Sequence, residues 1–518
     1  MMTQNLLPIK VKNDGYLSGL TSLAGMLVYL ELMWACKLRD SIERNVQARS
    51  GGQGWTDSEI CIALILLNLA GGDCVNDLRT LESDDGFCRL LKLAQQSGLN
   101  ARKRRKLMRR WRRKTHRMIA SSSSVFRYLE SFHDEEQEII RDLPTTRPAF
   151  IPKPLPALVG LSLVNRDLIE FAQLQRPSDI ATIDMDATLI PTNIETAKYC
   201  YKAKDGQIRR AFQPLNCWWS EHGLMLYTEF RDGNVNAGFE QLRVFKEALE
   251  HLPAGVKSVR LRSDSAGYQH NLLKYCEKSL NHRFGRIEFA VSCSRSVSFR
   301  QAVAEVPNSE WHRLYYLENG ELKPSVKEWA EVCFVPDESC KSKNSPLYRY
   351  LATREPSRNP IISGLEQTEL PLEGDSDYWN CGQYRLFGIV TNITDWEGGD
   401  VINWLHERCG YSEQAHSVIK NDLAGGQMPS RLFGANAAWW WLSVIAHNLQ
   451  AIMKQHVLPE ELRSKRLKAI RFSLINIPAR IVSHARYLIM QLSSKQHMAD
   501  LIMEMRRRIA SLVPCPSG

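Results

Sequence analysis

Asp184 and Asp186 sit two residues apart in the apolar run 181–190. If that run is a strand, both carboxylates point to one face, because strand side chains alternate. Two like charges on an apolar strand repel and lose hydration unless a cation or hydrogen bonds relieve them. A divalent cation does this well; the plainer alternative is a strand-end Asp capping the next loop. Asp264 follows the stretch 256–262, at the C-terminal end of an expected strand. Ligand and catalytic groups collect there in open α/β sheets. Taken alone, Asp264 reads equally well as the cap of a helix starting near Tyr268. Glu413 lies in a helical pattern over 400–422, with Lys420 two turns later on the same face and Arg408 more than one turn before. Ordinary ion pairs on a solvated face are the commoner outcome of such spacing. As a set, two Asp from strands and a Glu from a helix suit phosphodiester chemistry with two divalent ions. One ion activates the attacking water or 3′-hydroxyl, and the other stabilises the leaving oxygen. Mg²⁺ favours oxygen ligands, so carboxylates rather than Cys or His are expected.

The elements that must position these residues follow from periodicity. Residues 212–219 and 225–230 read as a hairpin around Glu221-His222-Gly223. The stretch 239–251 is an amphipathic helix, 256–262 a strand, 268–280 a helix and 287–292 a strand. The result is a mixed sheet with helices. From 295 to 395, strand-like runs at 330–335, 348–352 and 384–390 alternate with polar segments, which reads as a β-rich insertion. A helical pattern returns at 400–422, followed by a strongly apolar helix at 436–455 and a mixed tail. Residues 1–145 read as helical. Thr56-Asp57-Ser58-Glu59 is a helix start and Gly71-Gly72 its stop, and Ser121–Ser124 can cap a helix over 125–132. The Pro-rich stretch 144–156 reads as a linker.

The chain has 518 residues, a net charge of +10 and 44% hydrophobic residues. That is enough apolar material for a large core, and it excludes global disorder. The basic excess suggests a polyanionic partner without choosing among DNA, RNA and an anionic membrane. Its densest part is 102–117, where eleven residues are Lys or Arg. Phosphate contacts from such a run add affinity without sequence information; a solvated helix face is the bland alternative. The 13 cysteines are scattered with no CxxC pair, which argues against a zinc finger and a disulfide framework and suggests a reducing compartment. The apolar stretches 26–38, 60–69 and 435–449 fall short of the ~18–20 residues of a membrane span.

At this point the chain resembles the DDE transposases of bacterial insertion sequences, specifically the insertion-sequence 1380 family. The resemblance covers most of the chain. Asp184-Met185-Asp186-Ala187-Thr188 is similar to the first-aspartate block, Arg231-Asp232-Gly233-Asn234-Val235 to the Gly-Asn turn, and Arg262-Ser263-Asp264-Ser265 to the second-aspartate block. Trp404, Arg408, Glu413 and Lys420 resemble the Tyr–Arg–Glu–Lys signature. Here Trp404 stands where Tyr is usual, and four residues rather than three separate Arg408 from Glu413. Leu67–Asp73, Asp77–Asp85, Ser123–Leu129, Phe433–Asn436 and His447–Leu449 complete the match.

The resemblance implies an α/β fold with an RNase H-like mixed sheet, flanking helices, a β-rich insertion and a helical N-terminal region. The expected division is 1–145 helical and DNA-binding, 146–175 linker, 176–294 and 396–455 the two parts of the catalytic core, 295–395 the insertion, and 456–518 a C-terminal region. Asp184 or Asp186, with Asp264 and Glu413, would be catalytic and would bind Mg²⁺, with Mn²⁺ able to substitute. Asp186 fits the Asp-x-Thr part of the block better; both are carried. Lys420, Arg408, Arg104, Arg105, Arg109, Arg110, Arg112, Arg113 and Arg127 would contact DNA. In related transposases the insertion can bear an aromatic that stacks on an extruded base, for which Trp311, Trp329 and Trp379 are available. The implied reaction cuts at the ends of the element and joins the freed 3′-hydroxyls to target DNA. The implied partners are double-stranded DNA, as terminal inverted repeats and target, and a second copy of the chain, with no membrane. The implied location is the bacterial cytoplasm at the nucleoid. Two rivals remain: an RNase H-like nuclease without strand transfer, and a catalytically inactive, transposase-derived DNA-binding protein.

Overall fold

In the computed structural model, the described residues are 18–49, 54–111, 117–143, 149–200, 206–318, 320–336, 346–356, 378–379, 384–485, 487–492 and 496–512. The apolar run carrying the paired aspartates forms strand β1, Ile180–Ala187. The expected hairpin follows as β2, Leu215–Trp219, and β3, Leu224–Glu229. Gly223 turns it with φ +58°, a left-handed conformation that costs glycine little. Strands β4, Ser258–Ser263, and β5, Glu288–Cys293, come next, each preceded by a helix: Gln241–Glu250 and then His270–Glu277. β1 pairs antiparallel with β2 and parallel with β4; β3 is antiparallel to β2, and β5 parallel to β4. The order 3-2-1-4-5 with this pattern of directions is the RNase H-like sheet.

The insertion does not stand apart from that sheet. Its strands β6, His312–Glu318, β7, Glu321–Val332, β8, Arg349–Pro356, and β9, Tyr384–Thr391, continue it. β9 joins antiparallel to β5, with Gly388 opposite Cys293, and β8, β7 and β6 follow outward. β6 is absent from the sequence reading because six of its seven side chains are exposed, leaving no apolar alternation to detect. A small core of Leu314, Trp329, Leu351, Ile389, Val401, Ile402 and Leu405 pins the insertion to the helix Gly398–Asp422. That long helix lies across β1, β4 and β5.

The segment expected as a linker, 146–175, is corrected by the structure: Pro156–Gln175 is a 20-residue helix. Pro156 suits the first helical turn, where no backbone donor is required. Leu161, Val164, Leu168, Ile169, Phe171 and Ala172 are buried, at helical spacing. This helix packs on Phe433–Ile452, whose side chains are nearly all buried. The N-terminal helices reach the same core through Asp57–Ala70, which starts on a Thr56–Glu59 capping box and stops at Gly71 with φ +96°. The Leu20–Thr21 strand pairs with Ala479–His484, and the helix Gln496–Ala510 packs on Met26–Ala35. The described ends of the chain therefore fold together. No single helix among the described residues is long and apolar enough to cross a membrane.

Candidate active site

β1, β4 and the long helix meet at one open cleft of about 1030 Å³. Asp186 enters it from the end of β1, Asp264 from the end of β4, and Glu413 from the helix; Arg408, His416 and Lys420 line the same helical wall. The side chain of Asp186 is 21% exposed, Asp264 is half-buried and Glu413 is exposed. Asp264 also accepts a hydrogen bond from Ala266 N at 3.0 Å, so it caps the short turn Ser265–Gly267 while lining the cleft. The cap therefore serves this short turn rather than a helix starting near Tyr268; the next helix begins at His270, behind Gln269.

Asp184 does not line the cleft, which corrects its place beside Asp186 as a catalytic and metal-binding candidate. It lies on the expected face but one pleat deeper, 1% exposed under the long helix. Arg262, opposite it on β4, donates to both carboxylate oxygens, at 2.6 and 2.9 Å. The same guanidinium donates to Trp404 O, Glu407 and Ser220, and lies 5.3 Å from the centre of the Trp404 ring. Burial pushes the Asp184 carboxyl up from its ordinary value, and Arg262 pulls it back down. The pair clamps two strands to the helix. Face alternation is visible in sequence; depth is set by which helix crosses the strand.

Two cationic or polar groups turn toward Asp186. Arg408 Nη1 is 3.7 Å and His416 Nδ1 3.8 Å from Oδ2. Burial, with help from Lys420, lowers His416 to about 3, so its ring is neutral near pH 7. Its Nε2 lies 3.0 Å from Asn216 Nδ2, on the strand residue directly opposite Asp186. Lys420 donates to Leu189 O at 3.2 Å across the cleft. Sequence reasoning missed His416 and Asn216. The available signal was spacing: His416 is three residues past Glu413, on its face. Among the described residues, no three acidic, His or Cys side chains close on one point as bound-metal ligands do.

The family model described as transposase DDE domain group 1 matches residues 3–514. The chain belongs to that family. No curated protein matches it. Among solved structures, a piggyBac transposase synaptic complex with hairpin DNA aligns over 92% of this chain and 84% of that one, at 10% identity and a TM-score of 0.40.

The remaining candidates of this family member are dispersed. Arg104 and Arg105 are exposed on the helix Ala101–Trp111, which also carries Arg109 and Arg110. Arg112 and Arg113 lie outside the described residues. Arg127 is exposed on Ser122–Glu130, whose N-terminus Ser121 caps by accepting from Ser124 N. Among the described side chains of the basic set, Arg408 and Lys420 line the cleft. Trp329 is a core residue, 6% exposed. Trp311 is half-buried with the Arg354 guanidinium 4.2 Å from its ring centre. Trp379 lies on the two-residue strand Tyr378–Trp379 beside β9.

Proposed function

We propose that this protein is a DNA transposase of the insertion-sequence 1380 type, with Asp186, Asp264 and Glu413 as its catalytic carboxylates. The observation that carries this reading is their convergence from three separate elements on one cleft whose wall also holds Arg408 and Lys420. The donor set is all oxygen, which fits Mg²⁺ or Mn²⁺. Asp186, Asp264 and Glu413 would hold the ions, after side-chain movement that brings them together. Bound there, such ions polarise the phosphate and lower the pKa of an attacking water or hydroxyl.

In the first step a water oxygen attacks phosphorus at an element end and the P–O3′ bond breaks, leaving a 3′-hydroxyl and a 5′-phosphate. In the second, that 3′-hydroxyl attacks a target phosphorus and displaces the target's own 3′-oxygen. Lys420 and Arg408 supply fixed positive charge beside the scissile phosphate, Lys420 as a point charge and Arg408 with a planar fork of donors. The basic helix at Ala101–Trp111 and Arg127 add phosphate contacts outside the cleft. Joining two ends calls for two copies of the chain on double-stranded DNA. The test is incubation of the protein with labelled DNA carrying the repeats that flank its gene, a plasmid target and Mg²⁺. Cut ends joined to the plasmid are expected. Cutting without joining would make the protein a nuclease, and binding without either, in Mg²⁺ and in Mn²⁺, a DNA-binding relic.

A further inference from the structure

A chain of buried hydrogen bonds leads from the central helix to Asp186, and its directions are fixed by chemistry. Trp440 Nε1 can only donate, and does so to Thr228 Oγ1 at 2.8 Å. Thr228 Oγ1 in turn donates to Asn216 Oδ1 at 2.6 Å. The Asn216 amide therefore turns its NH₂ toward His416 Nε2, 3.0 Å away, and that nitrogen must accept. A neutral ring accepting at Nε2 carries its proton on Nδ1, the nitrogen that faces Asp186 Oδ2 at 3.8 Å. The opposite amide orientation would leave a ring lone pair against a carboxylate oxygen, which is repulsive. Trp440, Thr228, Asn216 and His416 are all buried, so water does not compete for these bonds.

We propose that His416 is a positioning residue for the Asp186 carboxylate: Asn216 holds it in the Nδ1–H form, and it offers that donor to Oδ2. At 3.8 Å the contact is longer than a hydrogen bond, and active-site bonds of this kind tighten when the site is loaded. With Oδ2 so held, Oδ1 is directed into the cleft. Partners behind a ligating carboxylate typically change metal affinity by ~10–100-fold. The inference rests on Asp186 being a metal-binding carboxylate.

The two amide side chains separate a positioning role from simple packing. In His416→Asn the amide nitrogen stands where Nδ1 was and can still donate to Asp186. In His416→Gln the amide reaches the Nε2 position, keeps Asn216 paired and removes the donor that His416 offers Asp186, while Arg408 stays beside the same oxygen. Mn²⁺ binding is followed by loss of the free-ion electron paramagnetic resonance signal, which requires no turnover, and a thermal melt confirms that each variant is folded. His416→Gln should weaken Mn²⁺ binding by ~10-fold or more, and His416→Asn by no more than about 3-fold. Equal effects of the two variants, or none, would overturn the positioning role. Asp186→Asn is the control for the underlying reading. If it binds Mn²⁺ like the wild type, or if the wild type itself shows no such site, the reading of the cleft fails and this proposal with it.

Discussion

Arg262 places its donors on Asp184 from below and on Trp404, Glu407 and Ser220 around it, while Asp186, two residues further along β1, is left at the cleft. Removing one partner of a buried ion pair strands the other charge and costs roughly 3–5 kcal/mol. Arg262→Ala should therefore lower the stability measured by urea unfolding by that order. Asp186→Asn, at a partly exposed position, should change it by less than about 0.5 kcal/mol. Equal costs would mean that the two aspartates do not divide the work as described. A second prediction concerns histidines outside the cleft. Burial is the main cause that lowers His222 to about 4 and His447 to about 3, and their residues are 0% and 8% exposed. A depressed folded-state value means the unfolded chain takes up the proton first. Stability is thus unaffected by these groups above about pH 6.5. Each contributes a loss of up to about 1.4 kcal/mol per pH unit as pH falls from there toward about 4 for His222 and about 3 for His447. Melting temperatures between about pH 7.5 and pH 4.5 measure the slope; the double variant His222→Gln, His447→Gln should flatten it, and an unchanged slope would assign it to other groups. The types and spacing of Asp186, Asp264 and Glu413 were legible in the sequence. The surroundings of Asp184, Asn216 and His416 were not, because they depend on which residues face them across strands and helix.

The long helix connects the insertion to the chemistry. Its first residue, Gly398, abuts Trp329 so closely that an added Cβ would lie 2.2 Å from the ring. Gly398→Ala should push Trp329 out of the small core and cost about 1–3 kcal/mol by overpacking. Because the same helix carries Glu413, DNA cleavage should fall more than DNA binding, and a parallel loss of both would place the effect elsewhere. β1 to β5 were legible as short, largely apolar runs, and most of their residues are buried, all five in β2. Periodicity failed for β6, whose outward side chains carry no apolar code, and for Pro156–Gln175, where the preceding prolines dominated the reading of a segment whose apolar spacing was helical.

At the scale of the molecule, the densest run of positive charge in the sequence is 102–117, where eleven residues are Lys or Arg. If Arg104 and Arg105 neutralise phosphates, the double variant to Ala should weaken DNA binding across sequences. It should also make the slope of log affinity against log salt shallower by about 1 for each phosphate no longer neutralised. An unchanged salt slope would remove that helix from the DNA interface. The overall architecture was legible from strand and helix order. The sharing of one core by the N-terminal helices, the Phe433–Ile452 helix and the C-terminal strands was not, because it is fixed by packing between segments hundreds of residues apart. The central claim is that Glu413 completes a carboxylate site that cuts DNA. Its most direct test is the rate of Mg²⁺-dependent cleavage of the flanking repeats by the wild type and by Glu413→Gln, an exposed substitution that leaves the fold intact. A drop of more than about 10²-fold with DNA binding unchanged is the predicted result; cleavage at the wild-type rate would contradict the account.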